Sequence, residues 1–575
     1  MDQPLTIHTA SAHPTRSKNL SISKTQPTWL WWVGIGLVLG IALAFRLVGL
    51  SQFGLNTDEV VYSGQAASMI ADPASVALFP IFRAHPLLFH STLAVVFQLF
   101  GISDFVARLT AIGFGLATLL VVYRLGAEMY DNKVGLLAAM FLALMPYHLV
   151  VSRQVLLDGP LTLLTTLTLL MLVRFSNTQR ARWLYATGIA LGLAFLAKET
   201  GIVFIGAIFV FFALRPKVKL MDCAFALICM GAVMAIHPIA LVFGEGTKNG
   251  QSYLIWQLLR ESNHALSFYL TESLPSFGYA LVAVALLSLV WMWRHSSWRE
   301  LLLALWVIVP VAFFTIWPVK GYHYLLSVAP ALALLAARWV ISARPNKAWF
   351  KAVRAVVLLA VLGGLGFASW QVAQSSDATD VRAGTGGMPA GREIGTWIGT
   401  NAKPNDQVLT IGSSLANAIR FYGHRTVWAL SVSLDPLKRN PAYEPIRDAD
   451  AMIQSEQIGY IAWDMYSASR SPYYARKIAA LLKRYNGRLV HEEVGQVRNE
   501  QGQLQTRTLM AVYEVHPNKL VASYTQPEPK PLPGAANLPG IWVPYGIAIV
   551  IMLMMLGASL IPINTHHLRA QPEAA

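Results

Sequence analysis

Asn56-Thr57-Asp58-Glu59-Val60-Val61-Tyr62 follows an apolar run from Trp29 to Leu50. That run holds about 22 residues, enough to cross a hydrocarbon core of roughly 30 Å and too many for the apolar core of a signal peptide. Residues 1–28 ahead of it are polar and carry Arg16, Lys18 and Lys24. The run therefore reads as an uncleaved first span behind a cytoplasmic tail. Two adjacent acids at the mouth of such a helix are costly unless they reach the interface, since an aspartate near the bilayer centre costs about 2.5–3.5 kcal/mol on insertion scales. Which side they face, and what meets them there, governs the rest of the reading.

Composition agrees with a polytopic membrane protein. Of 575 residues, 55% are hydrophobic and only 13% charged, and the mean hydropathy is +0.47. A soluble globular domain is far richer in charge. The net charge of +15 would suggest nucleic acid in a soluble chain, but much of the Lys and Arg sits in short links between apolar runs, where it reports topology. No nucleic-acid partner is expected. Cys223 and Cys229 share one apolar run, so neither a disulfide framework nor a cysteine-based metal site is expected.

The positive-inside rule fixes the sides. Leu87 to Phe100 holds about 14 residues, short for a span and typical of an interfacial or re-entrant helix. If it does not cross, the clusters around Arg124 and Lys133, Arg174 to Arg182, Arg215 to Lys219, Arg294 and Arg299, and Arg344 to Lys351 all fall inside. If it crosses, all fall outside. The expected architecture is an α-helical polytopic membrane protein with about twelve spans plus juxtamembrane helices. The two shortest spans, about 183–197 and 201–214, are able to form a dipping pair without changing the parity. The protein is expected in the plasma (inner) membrane with its site on the outer or periplasmic face.

After about residue 373 the composition changes. Ala383-Gly384-Thr385-Gly386-Gly387 and the Pro-rich stretch Gln526 to Pro533 punctuate a polar segment. Within it 407–412, 460–463 and 509–513 read as strands and 474–485 as an amphipathic helix. The expected division is a cytoplasmic tail 1–28, a transmembrane domain 29–373 whose first outer loop is 51–104, a small extracytoplasmic α/β domain 374–537, and a last span with a cytoplasmic tail, 538–575.

This topology gathers one set of ionisable groups on the outer surface: Asp58 and Glu59, Arg83 and His85, Arg153 and Asp158, Lys198 and Glu199, His264, and Lys320, His323 and Tyr324. Acids beside cations at one membrane face suit a reaction between a hydroxyl and a lipid-linked phosphate. A carboxylate takes the hydroxyl proton, and Lys and Arg balance the charge on the departing phosphate. Plainer readings stand beside this one. Asp58-Glu59 could be a solvated loop start, Asp158 an N-cap ahead of Gly159-Pro160, Lys198-Glu199 a mutual ion pair, and His264 an exposed loop histidine. His85 and His90 are poorly spaced for one metal on one helix face.

The order and spacing of several short elements resemble one family. They are Asn56-Thr57-Asp58-Glu59, His85-Pro86-Leu87, Gly101-Ile102-Ser103-Asp104-Phe105-Val106-Ala107-Arg108-Leu109, Ser152-Arg153-Gln154-Val155-Leu156-Leu157-Asp158, and Leu196-Ala197-Lys198-Glu199-Thr200-Gly201. Residues 29–215 resemble the GT-C glycosyltransferases of family 39, the protein O-mannosyltransferase and aminoarabinose transferase group. Tyr322-His323-Tyr324-Leu325-Leu326 is similar but less specific. The resemblance implies inverting transfer of a sugar from a polyprenyl-phosphate carrier to an acceptor hydroxyl on a glycolipid, glycan or protein. It places the catalytic aspartate at Asp58 with Glu59 beside it, a second acid at Asp158 near Arg153, and a carrier-phosphate residue at Lys198. Tyr62, Arg83, His85, Glu199, Lys320, His323 and Tyr324 complete the expected substrate-binding set. No cofactor is required; a divalent metal is allowed, with His264 its weak candidate ligand. His85-Pro86 and Arg83-Ala84 depart from the family, which counts against a lipid A substrate and against a metal there.

On this expectation Asp158 orients Arg153 or the acceptor, and the 244–274 loop, with Tyr253, Trp256 and Arg260, closes over the site. The rival class is a transporter or lipid flippase, since intramembrane charges also line pathways. Neither repeated halves nor a row of acids within spans supports it. A non-catalytic scaffold for residues 374–537 leaves the clustering of acids and bases without a purpose.

Overall fold

The computed structural model describes residues 28–82, 84–215, 218–244, 256, 260–295, 297–342, 348–375, 388–435, 438–440, 442–499, 501–519, 524 and 537–563. Arg83, Tyr253 and the Pro-rich stretch Gln526 to Pro533 lie outside them.

Among the described residues eight helices are long and apolar enough to cross a membrane, and two bent pairs bring the number to ten. The two remaining expected spans are Ala181–Ala197 and Glu199–Leu214, which are too short to qualify by themselves. Leu88–Phe100 is also short, as expected of a helix that does not cross. One bent pair, Asn132–Ala143 and Pro146–Ser152, turns by 66°, because Pro146 supplies no amide donor and so opens a new helix. The other, Tyr269–Phe277 and Tyr279–Val290, turns by 90° at Gly278, whose φ of +89° is one that residues with a Cβ rarely adopt.

The helix Asp158–Thr178 is buried along almost all of its length, whereas Ala348–Ala373 and Leu538–Leu560 present mostly exposed apolar side chains, as lipid-facing helices do. Small residues allow the close crossings. A Cβ on Gly135 would lie 2.3 Å from the Tyr123 carbonyl oxygen, and one on Gly188 2.1 Å from that of Ala226. The helices Asp104–Met129 and Asp158–Thr178 begin beside the Asn56–Glu59 segment and end together at the opposite pole. There Arg174 donates to Glu128 at 3.0 and 2.7 Å and to the carbonyls of Ala558, Ser559 and Ile561. Acids and bases thus sit at the helix ends, with the Arg174 cluster at one pole and Asp58, Asp158 and Lys198 at the other.

The C-terminal part is a three-layer α/β unit. Its strands are β1 (Gln407–Thr410), β2 (Val427–Ala429), β3 (Ile458–Asp464), β4 (Arg488–Arg498) and β5 (Leu504–Glu514), ordered β2-β1-β3-β5-β4. β1 is parallel to β2 and β3, and β5 is antiparallel to β3 and β4. Successive β1 residues face opposite layers, as a period of two requires. Val408 packs with Ile394, Ile398 and Ile419 on one side, and Leu409 with Met452, Ile453 and Ile478 on the other. Expected strands at 407–412, 460–463 and 509–513 fall on β1, β3 and β5, and the expected helix falls on Pro472–Arg484. β2 is short, and β4 is largely solvent-facing, so neither carried the buried apolar pattern by which a strand is recognised.

Candidate active site

The site begins with the start of the helix Thr57–Met69. Asn56 is extended, and its Oδ1 accepts from the amides of Asp58 and Glu59, both at 3.0 Å; Glu59 Oε2 accepts from the Asn56 amide at 2.9 Å. This reciprocal cap fixes the first turn and sends the two acids in different directions. Glu59 is fully buried. Arg108 Nε reaches its Oε1 and Nη2 its Oε2, each at 3.0 Å, and the Val155 amide donates to Oε1 at 3.0 Å. Arg108 also donates to the carbonyls of Leu50, Phe53 and Gly54 at 2.8, 2.8 and 2.9 Å. Glu59 therefore holds the segment ahead of Asp58 to the second span and to the 153–158 turn.

Asp58 is exposed, and among the described residues its carboxylate has no hydrogen-bond or ion-pair partner. It is close enough to His323 and Tyr324 for its charge to act on both. The other acids at this pole are engaged. Asp158 is buried, receives both of its oxygens' bonds from Lys198 Nζ at 2.9 Å, and lies 3.7 Å from His323 Nε2. Lys198 Nζ also lies 4.6 Å from the centre of the Tyr324 ring. Burial disfavours the Lys198 ammonium, but the Asp158 carboxylate, together with Tyr324 and Glu199, outweighs it and the net pKa is raised. Glu199 meets His85 Nδ1 at 2.9 and 3.0 Å.

Several expectations are corrected by this geometry. Lys198 and Glu199 do not pair with each other; each reaches across to another element. Asp158 does not cap its helix, whose N-cap is Leu157 without a side-chain bond, and it does not hold Arg153. Arg153 is fully buried and donates through Nη2 to the Val48 carbonyl, while its Nε and Nη1 have no hydrogen-bond partner among the described residues. Burial, then the Arg108 charge, lowers its pKa to about 10. Tyr62 stands edge-on to His85 and His90, with ring centres 6.1 and 5.2 Å away. Lys320 is buried, its Nζ 3.1 Å from the Trp317 carbonyl and 3.5 Å from that of His264. Asn263 pins its backbone on both sides, at 2.7 and 2.9 Å. His264 is exposed and stacks on Phe268 at 4.2 Å. Among the described residues no three His, Cys, Asp or Glu side chains are grouped to hold a metal ion. Arg260, on the described part of the 244–274 loop, stacks on Trp256 and acts electrostatically on Tyr324.

Four residues without an assigned role in the sequence reading prove central: Arg108, Asp104, Tyr422 and Arg392. Arg108 carried a signal, since an arginine inside an apolar span requires a partner. Tyr422 and Arg392 carried none.

The fold of the membrane domain is similar to that of GT-C glycosyltransferases. Residues 84–242 match the family described as dolichyl-phosphate-mannose-protein mannosyltransferase. Among solved structures the chain is similar to ArnT from Cupriavidus metallidurans. In the apo state the identity is 17% and the TM-score 0.64, over 85% of this chain and 98% of that one. For ArnT bound to undecaprenyl phosphate the identity is again 17% and the TM-score 0.62, over 86% and 100%. It is also similar to the oligosaccharyltransferase AglB from Archaeoglobus fulgidus, with 13% identity and a TM-score of 0.52 over 83% of this chain and 74% of that one. No curated protein sequence matches the chain. At these identities the structural likeness concerns the fold, which is that of a multi-pass membrane protein.

Proposed function

We propose that this protein transfers a sugar from a polyprenyl-phosphate carrier to an acceptor hydroxyl, with inversion, at the outer membrane face. The observation that carries the proposal is the contrast at one pole of the bundle: Glu59 is tied to Arg108, Asp158 to Lys198 and Glu199 to His85, and of these four acids Asp58 alone stands exposed and without a partner among the described residues. A general base must be reachable by the acceptor and must not be neutralised by a permanent partner. Asp58 accepts the acceptor's proton as its oxygen forms the bond to the anomeric carbon. The bond from that carbon to the phosphate oxygen breaks, and the carrier phosphate leaves with the electron pair. Lys198, held by Asp158 and stacked on Tyr324, and Lys320, whose ammonium meets only carbonyl oxygens among the described residues, balance the phosphate charge. The carrier of ArnT, undecaprenyl phosphate, is the chemical class of donor we assign. The outer-face location rests on the basic links at the opposite pole, and the plasma membrane is the expected compartment. Residues 374–537 are the extracytoplasmic domain on this reading.

The test uses purified protein with labelled undecaprenyl-phosphate mannose and undecaprenyl-phosphate aminoarabinose, presented with cell-envelope lipids and glycans. Sugar should leave the carrier in an acceptor-dependent way. Asp58→Asn should retain carrier binding and lose transfer by more than about 100-fold. Full turnover in that variant would remove Asp58 from the mechanism.

A further inference from the structure

Nine residues, Val48 to Asn56, join the first span to the helix that carries Asp58, and the backbone from Leu50 onward is held from two directions. From the membrane domain, Arg108 takes the carbonyls of Leu50, Phe53 and Gly54. From the α/β domain, Tyr422 Oη receives the Leu55 amide at 2.8 Å and donates to Asp104 Oδ2 at 2.7 Å. Arg392 adds contacts to the Ser51 carbonyl at 3.3 and 3.4 Å and to Asp104 at 3.6 Å. Gly54 forms a backbone bridge with Met388, and a Cβ on Gly54 would lie 2.8 Å from that of Arg392, so the two segments are in close contact. Phe421 packs against Phe79 with ring centres 6.2 Å apart, inside the hydrophobic core of the membrane domain.

Asp104 and Arg108 are one turn apart on the same helix. The first binds the α/β domain, and the second binds Glu59 and the Leu50–Gly54 carbonyls. Tyr422 closes this circuit: it joins Asp104 Oδ2 to the last amide before the cap of the Asp58 helix. Burial, then the Asp104 carboxylate, raises its pKa well above the ordinary tyrosine range, which keeps its proton in place for Asp104.

We infer that the α/β domain is part of the catalytic apparatus, and that Tyr422 is a positioning residue that sets the Leu55–Asn56 backbone and through it the direction of the Asp58 carboxylate. The inference rests on the proposed role of Asp58 for its kinetic consequence, but not for its structural one. A small displacement of a reacting group lowers the rate while leaving substrate contacts elsewhere intact. Tyr422→Phe keeps the ring and its packing and removes both hydrogen bonds.

The experiment compares the full-length protein with Tyr422→Phe and Asp104→Asn by backbone hydrogen exchange and by turnover of labelled undecaprenyl-phosphate mannose and undecaprenyl-phosphate aminoarabinose. In Tyr422→Phe, exchange at the Leu55 amide should rise at least tenfold with the β1–β3 amides unchanged. The kcat should fall about 10- to 100-fold, with KM for the donor within about twofold. Asp104→Asn, which keeps a weaker acceptor, should fall between this variant and wild type. Unchanged exchange at Leu55 and unchanged kcat in Tyr422→Phe would overturn the inference, as would a kcat loss accompanied by a proportionate rise in KM. If Asp58→Asn turns over normally while Leu55 exchange still rises in Tyr422→Phe, the circuit stands and the role of Asp58 falls. If Tyr422→Phe does not fold, rapid Leu55 exchange in folded Asp104→Asn supports the inference and slow exchange overturns it.

Discussion

Glu59 and Arg108 meet in a two-point ion pair sealed from solvent, with both contacts at 3.0 Å. Every lone-pair direction of the carboxylate that the geometry defines is filled by a donor, from Arg108, Asn56 and Val155. Removing one partner leaves an uncompensated buried charge, which costs about 3–5 kcal/mol. Arg108→Met should therefore lower the unfolding temperature in detergent sharply. Glu59→Gln should do the same, and the double variant should be less damaged than the sum of the two.

Asp158 and Lys198 form the second buried pair, and here structure and turnover should separate. Lys198→Arg keeps the charge but not the compact ammonium that contacts both carboxylate oxygens, so it should retain the fold and lose turnover by about 10-fold or more on labelled undecaprenyl-phosphate sugars. Asp158→Asn should lose both stability and turnover. The folded pKa of Lys198 is raised, so the pair's contribution is fully present below the unfolded lysine pKa and disappears as pH rises through the folded one. Thermal unfolding should be insensitive to this pair between about pH 6 and 9 and weaken only above the ordinary lysine range.

His90, on the short helix Leu88–Phe100, is buried, and neither ring nitrogen has a hydrogen-bond partner among the described residues. Burial, then the neighbouring His85, lowers its pKa to about 3. A histidine depressed in the folded state takes up its proton on unfolding, so stability falls as pH drops below about 6.5 and continues to fall until about 3. The slope from one such group is about 1.4 kcal/mol per pH unit. His90→Leu should flatten the acid limb of stability against pH, measured by thermal unfolding in detergent from pH 3 to 7.

Gly126 and Gly135 face each other where the helices Asp104–Met129 and Asn132–Ala143 cross. A Cβ on Gly126 would lie 2.5 Å from the Gly135 Cα. Gly135→Leu should force these helices apart and reduce the yield of folded protein, judged by a monodisperse peak on size exclusion, whereas Gly113→Leu, with open space around it, should be tolerated.

The membrane class, the shortness of the helix at 88–100 and the gathering of Asp58, Asp158 and Lys198 at one pole were all legible in the order of apolar runs and basic links. A bilayer makes these one-dimensional properties decisive: span length is set by its thickness, and charge must collect at helix ends. Bent spans were less legible, because Pro146 and Gly278 redirect a helix without changing its hydropathy.

Pairing was not legible. Asp58 and Glu59 are adjacent acids of nearly the same chemistry, and the sequence places both at the mouth of the first span. Only the packed structure makes Glu59 a sealed anchor for Arg108 and leaves Asp58 open, because successive residues of a capped first turn point about 100° apart and just one direction meets the second span. Likewise Lys198 turns to Asp158 and Glu199 to His85, and Tyr422 arrives from more than 300 residues away. The sequence determined that this chain crosses a membrane and brings acids and bases to one face of it. Which acid stays exposed, and that the α/β domain touches the segment ahead of it, was decided by tertiary contacts between distant segments, because partner choice for a buried charge depends on three-dimensional proximity that local sequence does not encode.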